Sequence, residues 1–235
     1  MNPAPEPVTA TVAATIAGRR AWLFDLDGTL VDSAPAHEAA FRTALAETAP
    51  DLLDSFDYTA HAGTSTRQVM QGLGLRPDLA RRAAERKQEL YRAYAADGAV
   101  AVLPGARRLL GLLADLGRIP YLVTSGSRDS VTRVLTACAL TGSFRAVLTA
   151  DDAPWSKPDP RFYRQACHRW AVDPADALAV EDSAHGVASA TGAGLLTLQV
   201  HGAEPAPGAV TVQNLDAIVA LLDTETPGME VNPRG

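Results

Sequence analysis

The sequence predicts an α/β fold: a Rossmann-like parallel sheet covered by helices, with a small all-helical cap inserted after the first strand. Apolar runs of strand length alternate with segments of helical periodicity along most of the chain, a pattern typical of a parallel sheet whose crossovers are helices. The alternation stops between residues 34 and 100, where only helix-like stretches occur. With 235 residues and 47% hydrophobic content, the chain can bury one large core and a smaller one beside it.

Short apolar runs and helix start and stop signals place the core elements. The predicted strands are Trp22–Asp25, Ile119–Thr124, Ala146–Thr149, Ala177–Val180 and Leu195–Gln199. The predicted helices among them are Ala106–Leu116, Ser130–Leu140 and one that runs to about Trp170. Gly117 is a helix stop. Asp159-Pro160 combines an N-cap with a proline at the first helical position, and Asp173-Pro174 repeats that start signal.

The insertion contains the helix-like stretches Ala36–Thr48, Thr66–Leu73 and Asp78–Ala96. Prolines lie at both points where the chain would cross between domains, near Ser33–Pro35 and Val100–Pro104, and they suit a stiff hinge. We therefore predict a core made of residues 1–33 and 101–235 and a cap made of residues 34–100. Poorly ordered tails are expected at 1–18 and 224–235.

Composition and charge narrow the class of protein. The formal net charge is −6 and no stripe of basic residues with interleaved aromatics occurs, so no nucleic-acid partner is expected. The apolar stretch Val8–Ala17 is too short to span a bilayer and no basic residue precedes it, so we expect a cytoplasmic protein without membrane contact, as a monomer or weak homodimer. Cys138 and Cys167 lie in helix-like runs, which favours reduced, partly buried thiols over a disulfide.

Two carboxylates follow the first predicted strand. Asp25 and Asp27 are two residues apart, so they project from the same face of an extended strand, and Gly28 lets the backbone turn sharply behind them. They can converge on one ion or substrate at the strand end. The alternative is a structural role, because aspartate before glycine is common in turns.

Polar groups also follow later strands. Thr124, Ser125 and Gly126 end the second strand just before a helix, where hydroxyls and free backbone N–H groups can bind a phosphate or serve as an ordinary N-cap. Lys157 precedes a proline and is therefore held out of helical conformation at the entrance of the next helix, with a solvated surface lysine as the alternative.

A second acidic pair, Glu181 and Asp182, ends the fourth predicted strand. Because ligands of open α/β sheets bind beyond the carboxyl ends of the strands, these acids are expected near Asp25. Carboxylate oxygens at such an edge suit Mg²⁺, with Glu181 as a water-bound or outer partner. Acidic residues in such loops are also common without a metal.

These segments, in this order, resemble the four motifs of the haloacid dehalogenase (HAD) superfamily of phosphotransferases. The matches are DxDGT at residues 25–29, the hydroxyl-bearing strand end at 124–126, Lys-Pro-Asp-Pro at 157–160 and EDSxxG at 181–186. The resemblance extends over residues 20–223, and residues 34–100 look like the small C1-type cap of the sugar-phosphatase and β-phosphoglucomutase-like branch.

The resemblance implies a role for each motif residue. Asp25 would be the nucleophile and Asp27 the general acid and base. Ser125 is the first choice for the phosphate-binding hydroxyl, and Thr124 is the alternative register. The residues implied are, for catalysis, Asp25, Asp27, Ser125 and Lys157; for phosphate binding, Thr124 and Gly126; and for Mg²⁺, Asp25, Asp182 and the backbone carbonyl of Asp27.

On the substrate side the resemblance is less specific. His37 lies where related sugar-phosphate enzymes often hold a histidine near the active site, and Arg67 lies in a loop that faces the catalytic centre, where it is available for a second anionic group. Structural alternatives are a hinge or solvated His37 and a plain helix N-cap at Thr64 or Ser65. Trp155 would flank the substrate or, by preference, pack beside its own loop.

We therefore expect a Mg²⁺-dependent phosphatase for a small phosphomonoester, a sugar or polyol phosphate, with a phosphoaspartate intermediate. A β-phosphoglucomutase-like mutase is the alternative, although no lysine lies between Gly63 and Asp78, where the mutase pattern places one. A catalytically inactive module that binds a phosphorylated metabolite is the third possibility. Dehalogenase and phosphonatase chemistry fit less well, because Asp27 would be idle in the first and is replaced by a non-acidic residue in the second.

Overall fold

The structure is a computed structural model that describes residues 13–16, 18–61, 64–202 and 204–223. Within this part of the chain, no helix is both long and apolar enough to cross a bilayer. The predicted tails lie mostly outside the described residues. Residues 13–16 are an exception: they are helical and bury Ile16 in the core, which corrects the predicted tail at these positions.

A six-stranded parallel sheet forms the centre of the molecule. The strands of the protein are β1 Ala21–Phe24, β2 Val31–Asp32, β3 Ala101–Val102, β4 Ile119–Val123, β5 Val147–Leu148, β6 Ala177–Glu181, β7 Leu196–Gln199 and β8 Val210–Thr211. The order in the large sheet is β5-β4-β1-β6-β7-β8, with β1 paired to β4 on one side and to β6 on the other. Every residue of β1 and β6 is buried, as expected for strands covered on both faces.

Core helices cover both faces of this sheet. The helices of the described residues are α1 Ala34–Thr48, α2 Thr66–Gly72, α3 Pro77–Ala96, α4 Ala106–Asp115, α5 Arg128–Ala137, α6 Arg161–Trp170, α7 Ala184–Gly192 and α8 Leu215–Asp223. Of these, α4 to α8 pack on the large sheet. Side chains of β1 alternate between the faces: Trp22 and Phe24 pack into the cluster that contains α4, α5 and α8, whereas Leu23 packs with α6 and α7. The predicted α/β fold class is therefore confirmed.

The helices α1, α2 and α3 follow β2 and precede β3. They enclose a hydrophobic cluster of their own, formed by Phe41, Ala44, Leu45, Phe56, Val69, Met70, Ala80 and Ala83. β2 and β3 pair antiparallel beneath them, with Val31 opposite Val102. These two-residue strands were not predicted, because two residues are too few to show a strand period.

The predicted core strands agree with the observed ones to within one residue at each end. The edge strand β8 was not predicted. α5 begins at Arg128, where the helix opening is expected, and α6 begins at Arg161, whose backbone N–H donates to the Asp159 side chain. Asp173 caps only a single 3-10 turn, Pro174–Asp176, rather than an α-helix. Both cysteines are free and buried, as expected.

Candidate active site

The carboxyl ends of β1, β4 and β6 meet at one edge of the sheet. Asp25 is the first residue after β1, and its backbone N–H donates to the carbonyl of Val180. Gly28 has a φ of +84°, and a Cβ at this position would lie 2.2 Å from Oδ2 of Asp182. Glycine is therefore required both for the left-handed turn and for the space beside the Asp182 carboxylate.

Three carboxylates come together at this edge. Asp25, Glu181 and Asp182 each offer an oxygen, and these oxygens all lie within 4.8 Å of one another. The hydroxyl of Thr29 donates to Oδ1 of Asp182 at 3.3 Å, and Oε2 of Glu181 is buried without a hydrogen-bond partner in the described chain. A cluster of oxygen donors with one unsatisfied member fits a hard divalent cation such as Mg²⁺. It contains the predicted ligands Asp25 and Asp182 and adds the side chain of Glu181.

Lys157 neutralises part of this negative charge. Its Nζ lies 2.5 Å from Oδ1 of Asp25 and 2.6 Å from Oε1 of Glu181, and the Tyr163 hydroxyl donates to that same Oε1 at 2.6 Å. The Lys157 side chain is buried and is therefore not the solvated surface lysine of the alternative reading. One ammonium group facing three carboxylates leaves an excess of negative charge that a divalent cation would balance.

Burial and repulsion shift the pKa values of these groups. Burial, together with the neighbouring negative charges, raises the pKa of Glu181 to about 8 and that of Asp182 to about 7. Burial also raises the pKa of Asp25, against the opposing effect of Lys157. Burial disfavours the charged form of Lys157, but the carboxylates of Asp25 and Glu181 outweigh it and raise its pKa above the ordinary value.

Hydrogen bonds at the carboxyl end of β4 distinguish Thr124 from Ser125 as the candidate phosphate-binding hydroxyl. Oγ1 of Thr124 is occupied, because it accepts a hydrogen bond of 3.0 Å from the backbone N–H of Gly126. Oγ of Ser125 is buried and has no partner among the described residues, and Ser125 lines the cavity of the site. An unpaired buried hydroxyl costs about 1–3 kcal/mol, so a ligand oxygen is the natural partner of Ser125. These contacts favour Ser125 over Thr124.

Side chains from helices α1 and α3 contact Asp27 from the side of the cavity opposite the sheet. Oδ1 of Asp27 lies 3.3 Å from Nε2 of His37 and accepts a hydrogen bond of 3.2 Å from the Tyr91 hydroxyl. The rings of His37 and Tyr91 stack with centroids 3.8 Å apart. Burial acts to raise the pKa of Asp27, but the hydrogen bond and charge of His37 prevail and lower it. A hydrogen bond from the Ser33 side chain also lowers the pKa of Asp27.

Lys87 on α3 completes this side of the cavity. Its Nζ lies 2.6 Å from Nδ1 of His37, donates to Oγ1 of Thr66 at 3.2 Å, and lies over the rings of Phe41 and Tyr91, 4.5 and 4.8 Å from their centroids. Burial lowers the pKa of Lys87 to about 7. It also lowers the pKa of His37, and the positive charge of Lys87 acts in the same direction.

Lys87, Tyr91 and Tyr163 are site residues that the sequence analysis missed. A signal existed for Lys87, because the chain contains only two lysines and the other is Lys157. Both tyrosines lie within ordinary amphipathic helices, and nothing in their local sequence distinguishes them. The mutase pattern places a lysine in the loop before α3, whereas in this protein the lysine of the cavity lies on α3 itself.

A cavity of about 120 Å³ separates the two sides. Its wall opposite the sheet is aromatic and rich in hydroxyls, with Phe41, Tyr58, His61, Thr64, Ser65 and Thr66. Arg67 is exposed and lines a neighbouring groove of about 920 Å³ instead of this cavity, so its contact with substrate stays a prediction. Trp155 also lies outside the cavity and stacks with the guanidinium of Arg161. Ser65 forms the N-cap of α2, the alternative foreseen for this loop.

Residues 22–200 match the family model described as haloacid dehalogenase-like hydrolase. The chain belongs to this family. Hexitol phosphatase A of Escherichia coli (strain K12) is 35% identical to this HAD-like hydrolase over 191 residues, which cover 80% of this chain and 86% of the relative. The plasmid-encoded phosphoglycolate phosphatase of Cupriavidus necator is 30% identical over 217 residues, which cover 86% of this chain and 90% of the relative.

A solved structure agrees with these matches. CbbY from Rhodobacter sphaeroides, in complex with phosphate, superposes on this HAD-like hydrolase with a TM-score of 0.73 at 27% identity, covering 87% of this chain and 99% of that chain. The predicted family, its sugar-phosphatase branch and the predicted enzyme class are confirmed.

Proposed function

We propose that this HAD-like hydrolase is a Mg²⁺-dependent phosphatase that hydrolyses a small sugar or polyol phosphate through a phosphoaspartate on Asp25. The observation that carries the proposal is the 2.5 Å pair between Nζ of Lys157 and Oδ1 of Asp25, beside the unpaired hydroxyl of Ser125. A carboxylate held in this way is oriented as a nucleophile, and the ammonium and hydroxyl can bind the phosphoryl oxygens. The hexitol phosphatase relative supports this choice of substrate class.

The first step forms a bond between a carboxylate oxygen of Asp25 and phosphorus and breaks the bond to the leaving oxygen. Asp27 gives a proton to that oxygen through Oδ2, because His37 and Tyr91 occupy Oδ1. The negative phosphoryl group raises the proton affinity of Asp27 when it arrives, which makes the acid form available despite the lowered resting pKa.

The second step hydrolyses the phosphoaspartate. Asp27, now a carboxylate, accepts a proton from a water molecule, whose oxygen attacks phosphorus. The bond between phosphorus and Asp25 breaks, which restores the carboxylate and frees inorganic phosphate. Throughout, Lys157 holds Asp25 and the phosphoryl oxygens, so the same contacts serve both halves of the reaction.

Asp25, Asp182 and the backbone carbonyl of Asp27 would hold the Mg²⁺, with Glu181 as an outer or water-bound partner. When bound, the ion neutralises phosphoryl charge and so permits attack by a carboxylate. The excess of carboxylates over ammonium groups supports this assignment.

The cavity favours a small hydroxylated leaving group. Its volume of about 120 Å³ corresponds to roughly four water molecules, so it holds the phosphoryl group and only the nearest part of a leaving group. Oγ1 of Thr66 accepts from Lys87 and Gln88 and keeps its own O–H to donate to a substrate hydroxyl. The ring of Tyr58 can cover the C–H faces of the substrate.

A phosphate-release screen tests the proposal. The purified protein would be incubated with hexitol, sugar, polyol, nucleotide and glycolate phosphates, with Mg²⁺ or with EDTA. We expect Mg²⁺-dependent phosphate release from at least one polyol or sugar phosphate and none with Asp25→Asn. Release that persists in Asp25→Asn, or no release from any phosphomonoester, would overturn the proposal.

A phosphosugar mutase is the second candidate, because Lys87 places a cap lysine beside His37 in the cavity. The phosphate-release screen also distinguishes a mutase from a phosphatase. A mutase would convert a sugar 1-phosphate into an isomer without free phosphate, whereas the phosphatase releases phosphate in step with the loss of substrate.

A further inference from the structure

A row of polar contacts runs from the core helix α5 through α3 to the proton-carrying side of the site. The hydroxyl of Ser130 on α5 donates to Oε1 of Gln88 on α3 at 3.0 Å. Nε2 of Gln88 donates to Oγ1 of Thr66 at 3.0 Å. The same Oγ1 accepts from Nζ of Lys87 at 3.2 Å, and Lys87 lies 2.6 Å from Nδ1 of His37.

These hydrogen bonds fix the orientation of the side chains in the row as well as their positions. The Gln88 amide is held at both ends, so its plane cannot rotate without losing one of the two bonds. Because Lys87 donates to Nδ1 of His37, the neutral ring carries its proton on Nε2, the atom that faces Oδ1 of Asp27 at 3.3 Å. The hydrogen bond from His37 to Oδ1 of Asp27 therefore depends on the orientation of Lys87.

Only one link of the row joins α3 to the core, the bond between Ser130 and Gln88. Ser130 and Thr66 are both buried, so water does not readily replace their partners when the row is intact. When α3 withdraws from α5, Gln88 loses its fixed orientation, and Thr66 loses a constraint on the hydroxyl that receives Lys87.

We propose that Gln88 is a positioning residue that couples the docking of α3 on α5 to the orientation of Lys87, and through His37 to Asp27. The inference rests on the proposed function for the role of Asp27, but the coupling between Ser130 and Lys87 is independent of it. Its consequence is that Asp27 is oriented for proton transfer only when the cavity is closed.

A matched control lies on the same two helices. Arg92 on α3 pairs with Asp129 on α5 at 3.1 Å. Arg92 lies one helical turn after Gln88, and Asp129 directly precedes Ser130. Neither residue is linked to Thr66, Lys87 or His37 by the contacts of the described chain. Because such a solvent-exposed ion pair contributes little to stability, Asp129→Asn removes a contact between the same helices while leaving their docking and the row intact.

The two lysines make a direct measurement possible. In protein labelled with ¹³C-lysine, the side-chain spectrum contains signals from Lys87 and Lys157 alone, and Lys157 serves as an internal reference. We expect Ser130→Ala to shift or broaden the Lys87 signal while that of Lys157 stays in place, Ser130→Thr to restore it, and Asp129→Asn to leave both signals unchanged. Gln88→Met, which removes both amide contacts, should move the Lys87 signal at least as far.

Kinetics supply the second readout. Ser130→Ala should lower kcat about fivefold, the change equivalent to one neutral hydrogen bond, with a smaller change in KM. Asp129→Asn should leave both kcat and KM unchanged. A Lys87 signal that is unmoved in both Ser130→Ala and Gln88→Met, or that moves equally in Asp129→Asn, overturns the coupling. A wild-type protein that releases no phosphate overturns the proposed function instead, and the spectra still decide on the coupling.

Discussion

The two lysines of this chain occupy opposite walls of one cavity, and their charges are controlled in opposite ways. Lys157 is 2% exposed and Lys87 is 1% exposed, so burial disfavours the ammonium form of both. Lys157 contacts the carboxylates of Asp25 and Glu181, and its pKa is raised. Lys87 contacts a histidine and a threonine, and its pKa falls to about 7.

The difference shows that the partner, rather than burial, decides the charge of a buried lysine. The sheet side of the cavity holds Lys157 as a fixed positive charge, which suits binding and attack on a phosphoryl group. The opposite side holds Lys87, whose lowered pKa lets it exchange a proton near neutral pH. Substituting each lysine by methionine, an apolar residue of similar length, tests this division.

Lys157→Met should have the largest effect. It removes the ammonium that orients Asp25 and binds phosphoryl oxygens, so we expect kcat to fall about 10³-fold or more. Lys87→Met removes no contact to the phosphoryl group and should lower kcat by about tenfold. Rates with a hexitol phosphate and saturating Mg²⁺ measure both, with circular dichroism to verify folding. Equal losses in the two variants would contradict the division of roles.

Lys87→Met should also change the pH dependence of stability. The folded protein releases the Lys87 proton near pH 7, whereas the unfolded chain keeps it until about pH 10.5. Between these values the unfolded state binds more protons, so this lysine lowers the stability of the wild type as pH falls from 10.5 to 7, and the loss is complete below pH 7. The free energy of unfolding of the variant, measured relative to that of the wild type, should therefore rise by on the order of 4 kcal/mol as the pH falls from 10 to 6.

Urea unfolding of both proteins in metal-free buffer at several pH values measures this difference. Contributions that do not depend on pH, such as the lost contact between Lys87 and Thr66, cancel in the comparison between pH values. A difference between the two proteins that is the same at pH 6 and pH 10 would show that Lys87 keeps its ordinary pKa in the folded state.

Ser125→Ala tests the phosphate-binding hydroxyl on the sheet side. Its Oγ has no partner in the described chain, so removing it should leave stability unchanged or slightly higher, while kcat/KM falls by about 10²-fold because a phosphoryl contact is lost. Thr124→Val is the control: it removes the acceptor of the Gly126 N–H and should cost about 1 kcal/mol of stability. Loss of turnover in Thr124→Val but not in Ser125→Ala, with stability unchanged, would identify Thr124 as the phosphate-binding hydroxyl.

The two walls also differ in how far the sequence predicts them. Asp25, Ser125, Lys157 and Asp182 follow strand ends or precede a helix, and strand ends of a parallel sheet converge, so local sequence was enough to bring these residues together. Lys87 and Tyr91 lie in the middle of α3 and face the cavity only because of how that helix packs on α1 and α5. Helix packing is a long-range property, which the period of a single helix does not reveal.

Arg67→Ala should have the smallest effect and defines where the substrate side ends. Its side chain is exposed in the neighbouring groove, so the structure predicts a change in kcat/KM of less than about twofold for a monophosphate, in keeping with the weak effect of exposed charges. Thr66→Val, one residue earlier, removes a hydroxyl that receives Lys87 and should lower kcat several-fold. The pair is a strict comparison, because one residue faces the cavity and its neighbour does not. A large loss with Arg67→Ala, confined to substrates that carry a second anionic group, would show that the groove is part of the substrate site and that the sequence resemblance identified Arg67 correctly.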